Sequence, residues 1–485
     1  LERPNILIAI SDDQSYPHTS AYGYPAIQTP SFDRVASQGL LFVNAFVASP
    51  GCSPSRAAFL TGRQPWQLEE AGTHASSFPT HYLVYPDLLE QNGYVVGYTG
   101  KGWGPGNWEI SGRTRNPAGE AFNIHQFDEP PAPGINRNNY AANFEAFLDS
   151  REPGQPFHFW FGATEPHRPF DEGVGSRSGK ELQSVAVPAF LPDTPVVRGD
   201  LLDYAYEIEW FDHYLGQMLD LLEARGELDD TLVIVTSDNG MSFPRAKANL
   251  YEYGIHVPLA IQWPKRIPPG RTINDLVSLV DLAPTILEIT GIEHTGRFPM
   301  TGRSILSILL SEEEGVIDPS RNGVYSGRER HSSSRYENMG YPARAVRTEE
   351  YLYIRNFAPE RWPAGDPQKY EEDGTLGPMH GAYHDIDPAP SLTLLVEGAD
   401  DPELSEYLTL AVAKRPAEEL YRIVDDPECL YNLAKSDEHQ GILRKLRQQL
   451  ERYLTETGDP RMGSNGEVFE TYPRYSPIRL FPPPE

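Results

Sequence analysis

Six short runs of apolar, β-branched and aromatic residues punctuate the first two-thirds of the chain. They are Asn5–Ile10 (NILIAI), Tyr94–Thr99 (YVVGYT), Phe157–Phe161 (FHFWF), Thr231–Val235 (TLVIV), Val257–Gln262 (VPLAIQ) and Gly323–Tyr325 (GVY). Each is continuous rather than alternating, so each predicts a strand whose two faces must both be covered. Helical patterns lie between them. Thr29–Gly39 opens on Thr-Pro and closes on Gly. Asp200–Arg225 repeats Leu201, Ala205, Ile208, Phe211, Leu215, Met218 and Leu222 in steps of three and four, the stripe of an amphipathic helix. Asp281–Thr290 predicts another helix. Strand alternating with helix gives an α/β fold with a large, mostly parallel central sheet flanked by helices.

The texture changes near Arg347. Thr348–Phe357 (TEEYLYIRNF) reads as an exposed strand, Ala358–Pro390 as a long Pro/Gly/Asp-rich connection, Ala417–Val424 as a further strand and Glu438–Thr455 as a charged amphipathic helix. A chain of 485 residues is long for one core. We therefore expect two units: 1–345, α/β and catalytic, and 346–485, a smaller C-terminal α+β subdomain with an antiparallel sheet.

The polar residues just beyond each buried run carry the chemistry. NILIAI leads into Ser11, Asp12 and Asp13. YVVGYT leads into Gly100 and Lys101. FHFWFGA is succeeded, one residue on, by Glu165, Pro166, His167 and Arg168, and TLVIV by Thr236, Ser237, Asp238, Asn239 and Gly240. In a parallel sheet these ends share the carboxyl edge, where open α/β sheets bind ligands. Alone, a DD or DNG pair reads as a turn or cap. Two such pairs at neighbouring strand ends form an oxygen-rich set that repels itself unless a hard cation such as Ca²⁺ or Mg²⁺ balances it.

The net charge is −28, from 69 acidic and 41 basic residues. Nucleic acid and anionic membranes are excluded as partners for such a surface, and an anionic substrate needs a local cationic pocket. No apolar run reaches the roughly 18 residues of a membrane span. The chain runs from LERP almost directly into a strand, with no signal peptide in the numbering, so it is either cytoplasmic or trimmed of a leader. Cys52 and Cys429 are the two cysteines. A single long-range bridge adds little to so large a fold, and we expect both to be free.

Cys52 opens CSPSRAAFLTGR, which resembles the signature Cys-x-Pro-Ser-Arg-x-x-x-Leu-Thr-Gly-Arg of type I sulfatases at Cys52, Pro54, Ser55, Arg56, Leu60, Thr61, Gly62 and Arg63. The segments PNILIAISDD, TPSFDRVASQGLLFVNAF, GYTGK, PHRPF, DDTLVIVTSDNG, YEYGIHVPL and ELYRIVDDPECLYNLA keep the family's order along nearly the whole chain. LPDTPVVRGDLLDYAYEIEWFD, SDNGMSFPRAKANLY and YPARAVRTEEYLYIRNF are most similar to the heparan N-sulfatase (sulfamidase) branch.

The resemblance implies an alkaline-phosphatase-like fold and a sulfuric ester hydrolase acting on a sulfated sugar or polysaccharide fragment. It implies that a maturation enzyme oxidises Cys52 to Cα-formylglycine, whose hydrate attacks sulfur. It implies Ca²⁺ held by Asp12, Asp13, Asp238, Asn239 and the modified Cys52. Arg56, Lys101 and Lys247 would surround the sulfate, and His167 would protonate the leaving oxygen or nitrogen. It also implies a periplasmic, secreted or lysosome-like compartment. Substrate contacts are expected from the loops Trp66–His81, Trp103–Asn116 and Arg328–Tyr336, with His74, Trp103, Glu165, Arg168 and His331 as candidates. The sequence departs from the family twice. Trp103 stands where many relatives have the histidine of Gly-Lys-x-His, so another group must handle a proton of the hydrate. Cys429 stands where the C-terminal motif usually has Glu, and is read as a thiol without function. Two rival readings are a phosphodiesterase or phosphonate monoester hydrolase, with two transition metals and more histidines, and a homologue that binds sulfated glycans without cleaving them.

Overall fold

A computed structural model describes residues 3–484. Eight strands form the main sheet, in the spatial order Glu120–Ala121, Val95–Gly100, Phe157–Gly162, Asn5–Ser11, Thr231–Ser237, Leu259–Gln262, Leu40–Phe42 and Arg271–Ile273. Every neighbouring pair is parallel except the two made by Leu259–Gln262, which runs against both its neighbours.

Both faces of the central strands are buried in apolar layers. Ile6, Ile8 and Ile10 join Leu232, Ile234 and Trp160 on the face that packs the Cys-initiated helix and helix Leu282–Thr290. Leu7 and Ala9 join Val233, Val235 and Phe157, Phe159 and Phe161 on the other face. That second face is covered by Phe211, Leu215, Met218 and Leu222 of the long helix Pro195–Ala224. Thr194 caps this helix by accepting from Val197 N at 3.3 Å. Continuous apolar runs are therefore needed in these central strands, because neither of their faces meets water.

A second, four-stranded antiparallel sheet runs in the order Val324–Arg328, Ala343–Arg347, Tyr351–Asn356, Glu418–Arg422. This changes two expectations. The GVY run belongs to this sheet rather than to the large one, and residue 345 lies inside the strand Ala343–Arg347. Tyr351–Asn356 is not exposed. Leu352 and Ile354 face the main core, while Tyr353 packs beneath Leu443, Leu446, Leu450 and Leu454 of helix Gln440–Glu456. Its flanking charges had disguised a strand covered on both sides. Cys52 and Cys429 are free and buried.

Candidate active site

Strand register builds the site. Ser11 pairs with Ser237, so the residues after each, Asp12–Asp13 and Asp238–Asn239, leave the sheet side by side. Ile10 and Gly100 both pair with Gly162, which brings Lys101 and the Thr164–Arg168 turn to the same edge. Asp13 takes a left-handed backbone, φ 74°, and Ala75 and Ala248 at the rim do the same at 57° and 63°. Such conformations cost about 1–3 kcal/mol each in non-glycine residues and concentrate at functional sites.

The helix Cys52–Thr61 aims its first residue at this edge, and all ten of its residues are buried. It stops at Gly62, whose φ of 62° returns its N–H to Ala58 and Phe59. It starts after Gly51, where a Cβ would lie 2.9 Å from His331 Nδ1, so only glycine lets that imidazole close over the helix end.

Around Cys52 the charges interlock. Arg56 Nε donates to Asp238 Oδ2 at 2.7 Å, and Lys101 Nζ to Asp12 Oδ2 at 2.6 Å. Lys247 Nζ donates to Asp13 Oδ2 at 2.7 Å and to Asp387 Oδ2 at 3.0 Å. Asn239 Nδ2 donates to Asp13 Oδ1 at 2.7 Å, and Asp13 N to Asp238 Oδ1 at 3.1 Å. His167 Nε2 stands 3.8 Å from Asp13 Oδ2, and its Nδ1 lies 2.6 Å from the carbonyl of Arg168. Atoms of Asp12, Cys52 and Asp238 all fall within 4.8 Å of one another.

Burial pushes the Asp12 carboxyl up, but Lys101, His167 and Arg56 outweigh it and hold it below the ordinary range. Burial, reinforced by Asp12, pushes Asp238 up. Burial works against the charge on Lys247, yet Asp13 and Asp387 hold it well above its usual value. The Cys52 thiol, only 1 % exposed, is pushed up to about 11 by burial despite Lys101 and Lys247.

Three polar atoms remain unsatisfied in this dry cluster: Asp12 Oδ1, Asn239 Oδ1 and Arg56 Nη2. A buried polar atom without a partner costs about 1–3 kcal/mol. Two bare oxygens beside Asp13 and Asp238 are what a hard, oxygen-seeking cation satisfies, and the bare Nη2 suits an anion. The residues therefore fit Ca²⁺. A second trio, Asp13, His167 and Asp387, also converges within 4.8 Å. Lys247 already bridges its two carboxylates, so that corner is balanced by the protein's own cation.

The expected substrate contacts divide. His74 Nε2 lies 3.3 Å from Cys52 Sγ, and its ring packs on His331 at 4.5 Å between centroids. Three others serve the fold instead. Trp103 is buried against Phe78 and donates from Nε1 to Ser53 O at 3.0 Å, bracing the first turn of the Cys52 helix. Glu165 accepts from Asn136 N at 2.7 Å and Tyr140 OH at 2.8 Å. Arg168 grips both oxygens of Asp200 at 2.7 and 2.8 Å. A side chain with every polar group engaged inside the protein has none left for a sugar. Sequence reasoning missed Asp387, which nothing distinguishes from the other acids of the Ala358–Pro390 stretch.

The family model described as Sulfatase matches residues 4–292, and that described as N-sulphoglucosamine sulphohydrolase, C-terminal, matches residues 245–373. The N-sulphoglucosamine sulphohydrolase of Homo sapiens is 30% identical over 505 residues, covering 96% of this chain and 93% of that protein. An ulvan-active sulfatase of Formosa agariphila is 27% identical, covering 94% of this chain and 76% of that protein. The fold is similar, at a TM-score of 0.66 and 20% identity, to a solved protein in complex with its substrate D-glucosamine-2-N,6-O-disulfate, covering 96% of this chain and 100% of that one.

Proposed function

The chain belongs to the sulfatase family and is a sulfuric ester hydrolase, and from that premise we propose that it removes sulfate from a sulfated sugar, as O-ester or N-sulfate, at the Cys52 edge of the main sheet. The human relative's name favours N-sulfated glucosamine as the first substrate to try. The carrying observation is the convergence of Asp12, Asp13, Asp238 and Asn239 beside Cys52, with bare oxygens on two of them.

Those four side chains and Cys52 would hold Ca²⁺. Bound there, calcium would neutralise the acids and polarise sulfate, and formylglycine made from Cys52 by a maturation enzyme would supply the attacking hydroxyl. Arg56 Nη2, Lys101 and Lys247 bind and orient the sulfate oxygens, and Arg56 is fixed through Asp238. His167, partly open to solvent, gives a proton to the leaving oxygen or nitrogen. His74 Nε2 is placed to take the proton for which Gly-Lys-Gly-Trp offers no histidine. Trp103 keeps the helix end, and hence residue 52, in place. All of this set except Asp387 falls within 1–345, the unit read as catalytic. No helix among the described residues is long and apolar enough to cross a membrane, and we place the protein in a periplasmic, secreted or lysosome-like compartment.

The test is expression with a formylglycine-generating enzyme, mass spectrometry of the Cys52 peptide, and a sulfate-release screen of N- and O-sulfated monosaccharides with calcium. Conversion of Cys52 together with release from at least one sugar is expected. Conversion without release from any would leave a glycan-binding homologue.

A further inference from the structure

The last residues of the chain cross the mouth of this site. Tyr475 N donates to Ala75 O at 2.7 Å, Ser76 Oγ to Pro473 O at 2.6 Å, and Arg479 N to Ser333 Oγ at 2.9 Å. Arg330, itself buried, clamps the strap from below, with Nη1 to Tyr472 O at 2.9 Å and Nη2 to Pro473 O at 3.3 Å. The strap delivers Arg474 onto His331, whose carbonyl accepts from Nη1 at 3.1 Å. His331 in turn packs its ring, tilted by 37°, against His74, the neighbour of Cys52 Sγ.

Like Arg63, Arg245 and Arg330, Arg474 has a bare Nε and no ion pair, and it is set apart by lying against His331 beside the Cys52 site. Among the described residues no carboxylate lies within ion-pair distance of it, and its buried Nε has no partner. The acid that favours its charge, Asp385, is committed to Arg328 and Arg335 at 2.7 Å each, and to Ser332 N and Ser334 Oγ. Burial and the neighbouring Arg330 pull Arg474 down to about 10. In a chain of net charge −28, an uncompensated, half-buried arginine beside a sulfate site is left for an anion that arrives from outside.

Resting on the sulfatase reading above, we propose that Arg474 recognises a second anionic group of the substrate, either a further sulfate on the same ring or a uronate carboxylate on the adjoining one. The scissile sulfate lies at Arg56, Lys101 and Lys247. The ring passes His74 and His331, and the second anion meets the guanidinium on the strap. Arg330 is a positioning residue, because its guanidinium holds the strap by backbone carbonyls.

Three probes test this on the full-length, matured protein: glucosamine N-sulfate, glucosamine 2-N,6-O-disulfate, and a uronate-bearing N-sulfated disaccharide. Arg474→Gln is expected to raise KM about ten- to hundredfold more for one of the two doubly charged probes than for glucosamine N-sulfate. The arm affected identifies the anion, and Arg474→Lys should recover part of the difference. An equal change in all three arms, or none, overturns the inference. If the matured wild type cleaves none of the probes, the sulfatase reading fails for this substrate class, and calorimetry decides the arginine separately. Full-length Cys52→Ala protein, with and without Arg474→Gln, is titrated with the same three probes. A preference for a doubly charged probe that disappears with Arg474→Gln supports the proposal, and a preference that persists, or never existed, overturns it.

Discussion

Two buried charge clusters in this molecule both set arginine against carboxylates, and they differ in whether every polar atom finds a partner. In the smaller sheet, Arg344 Nε meets Asp459 Oδ2 at 2.6 Å, and its Nη2 meets Glu329 Oε1 at 2.7 Å. Its Nη1 donates to the carbonyls of Arg328 and Ala343 at 3.2 and 3.0 Å, and Arg461 closes the far side of Glu329 at 2.7 Å. No side-chain atom of Arg344, Glu329 or Asp459 is left bare. The cluster at Cys52 has more charged groups and is likewise buried at its centre, yet leaves Asp12 Oδ1, Asn239 Oδ1 and Arg56 Nη2 without partners. A closed network holds structure together, whereas an open one holds places for a ligand.

The largest expected effect breaks the open cluster chemically. Cys52→Ala should lower turnover by about 10³-fold or more while leaving the urea midpoint close to wild type. Retained sulfate release would show that the thiol is not the source of the nucleophile. Next, Arg344→Met should destabilise by about 3–5 kcal/mol, because Glu329 and Asp459 stay buried with a partner missing. A loss under about 1 kcal/mol in urea unfolding would erase the distinction between the two clusters.

Calcium should act on one cluster only. At a hundred times its Kd it should add about 2.7 kcal/mol of stability, read as a rise in melting temperature reversed by chelator. Asp13→Asn should abolish most of that rise, and an undiminished response would place the ion elsewhere.

Part of the acid lability should come from outside both clusters. Burial lowers His18 and His158 from 6.5 to about 3, so the folded protein keeps both rings neutral. Between pH 6.5 and about 3 the unfolded chain binds these protons and the folded one does not, so stability falls as pH falls. His158→Phe should flatten the dependence of the urea midpoint on pH, and a slope equal to wild type would assign the lability to other groups. The smallest effect is a surface control. Asp220, 72% exposed in its pair with Arg34, should cost less than about 1 kcal/mol on replacement by alanine.

The sequence by itself determined the sheet core, the signature that opens at Cys52, and the acids at the strand ends. These are local statements: a continuous apolar run needs two covered faces, and parallel strands put the polar residues at their ends on one edge. Tertiary structure alone decided which polar residues are spent and which are free. Glu165 and Arg168 sit in the same turn as His167, but Asn136, Tyr140 and Asp200, distant in the chain, claim them first. Asp387 and Arg474 carry no signal in their own segments and reach the site only because the later part of the chain folds back over it. Availability of a charged atom depends on every neighbour it meets, and those neighbours are fixed by packing rather than by order along the chain.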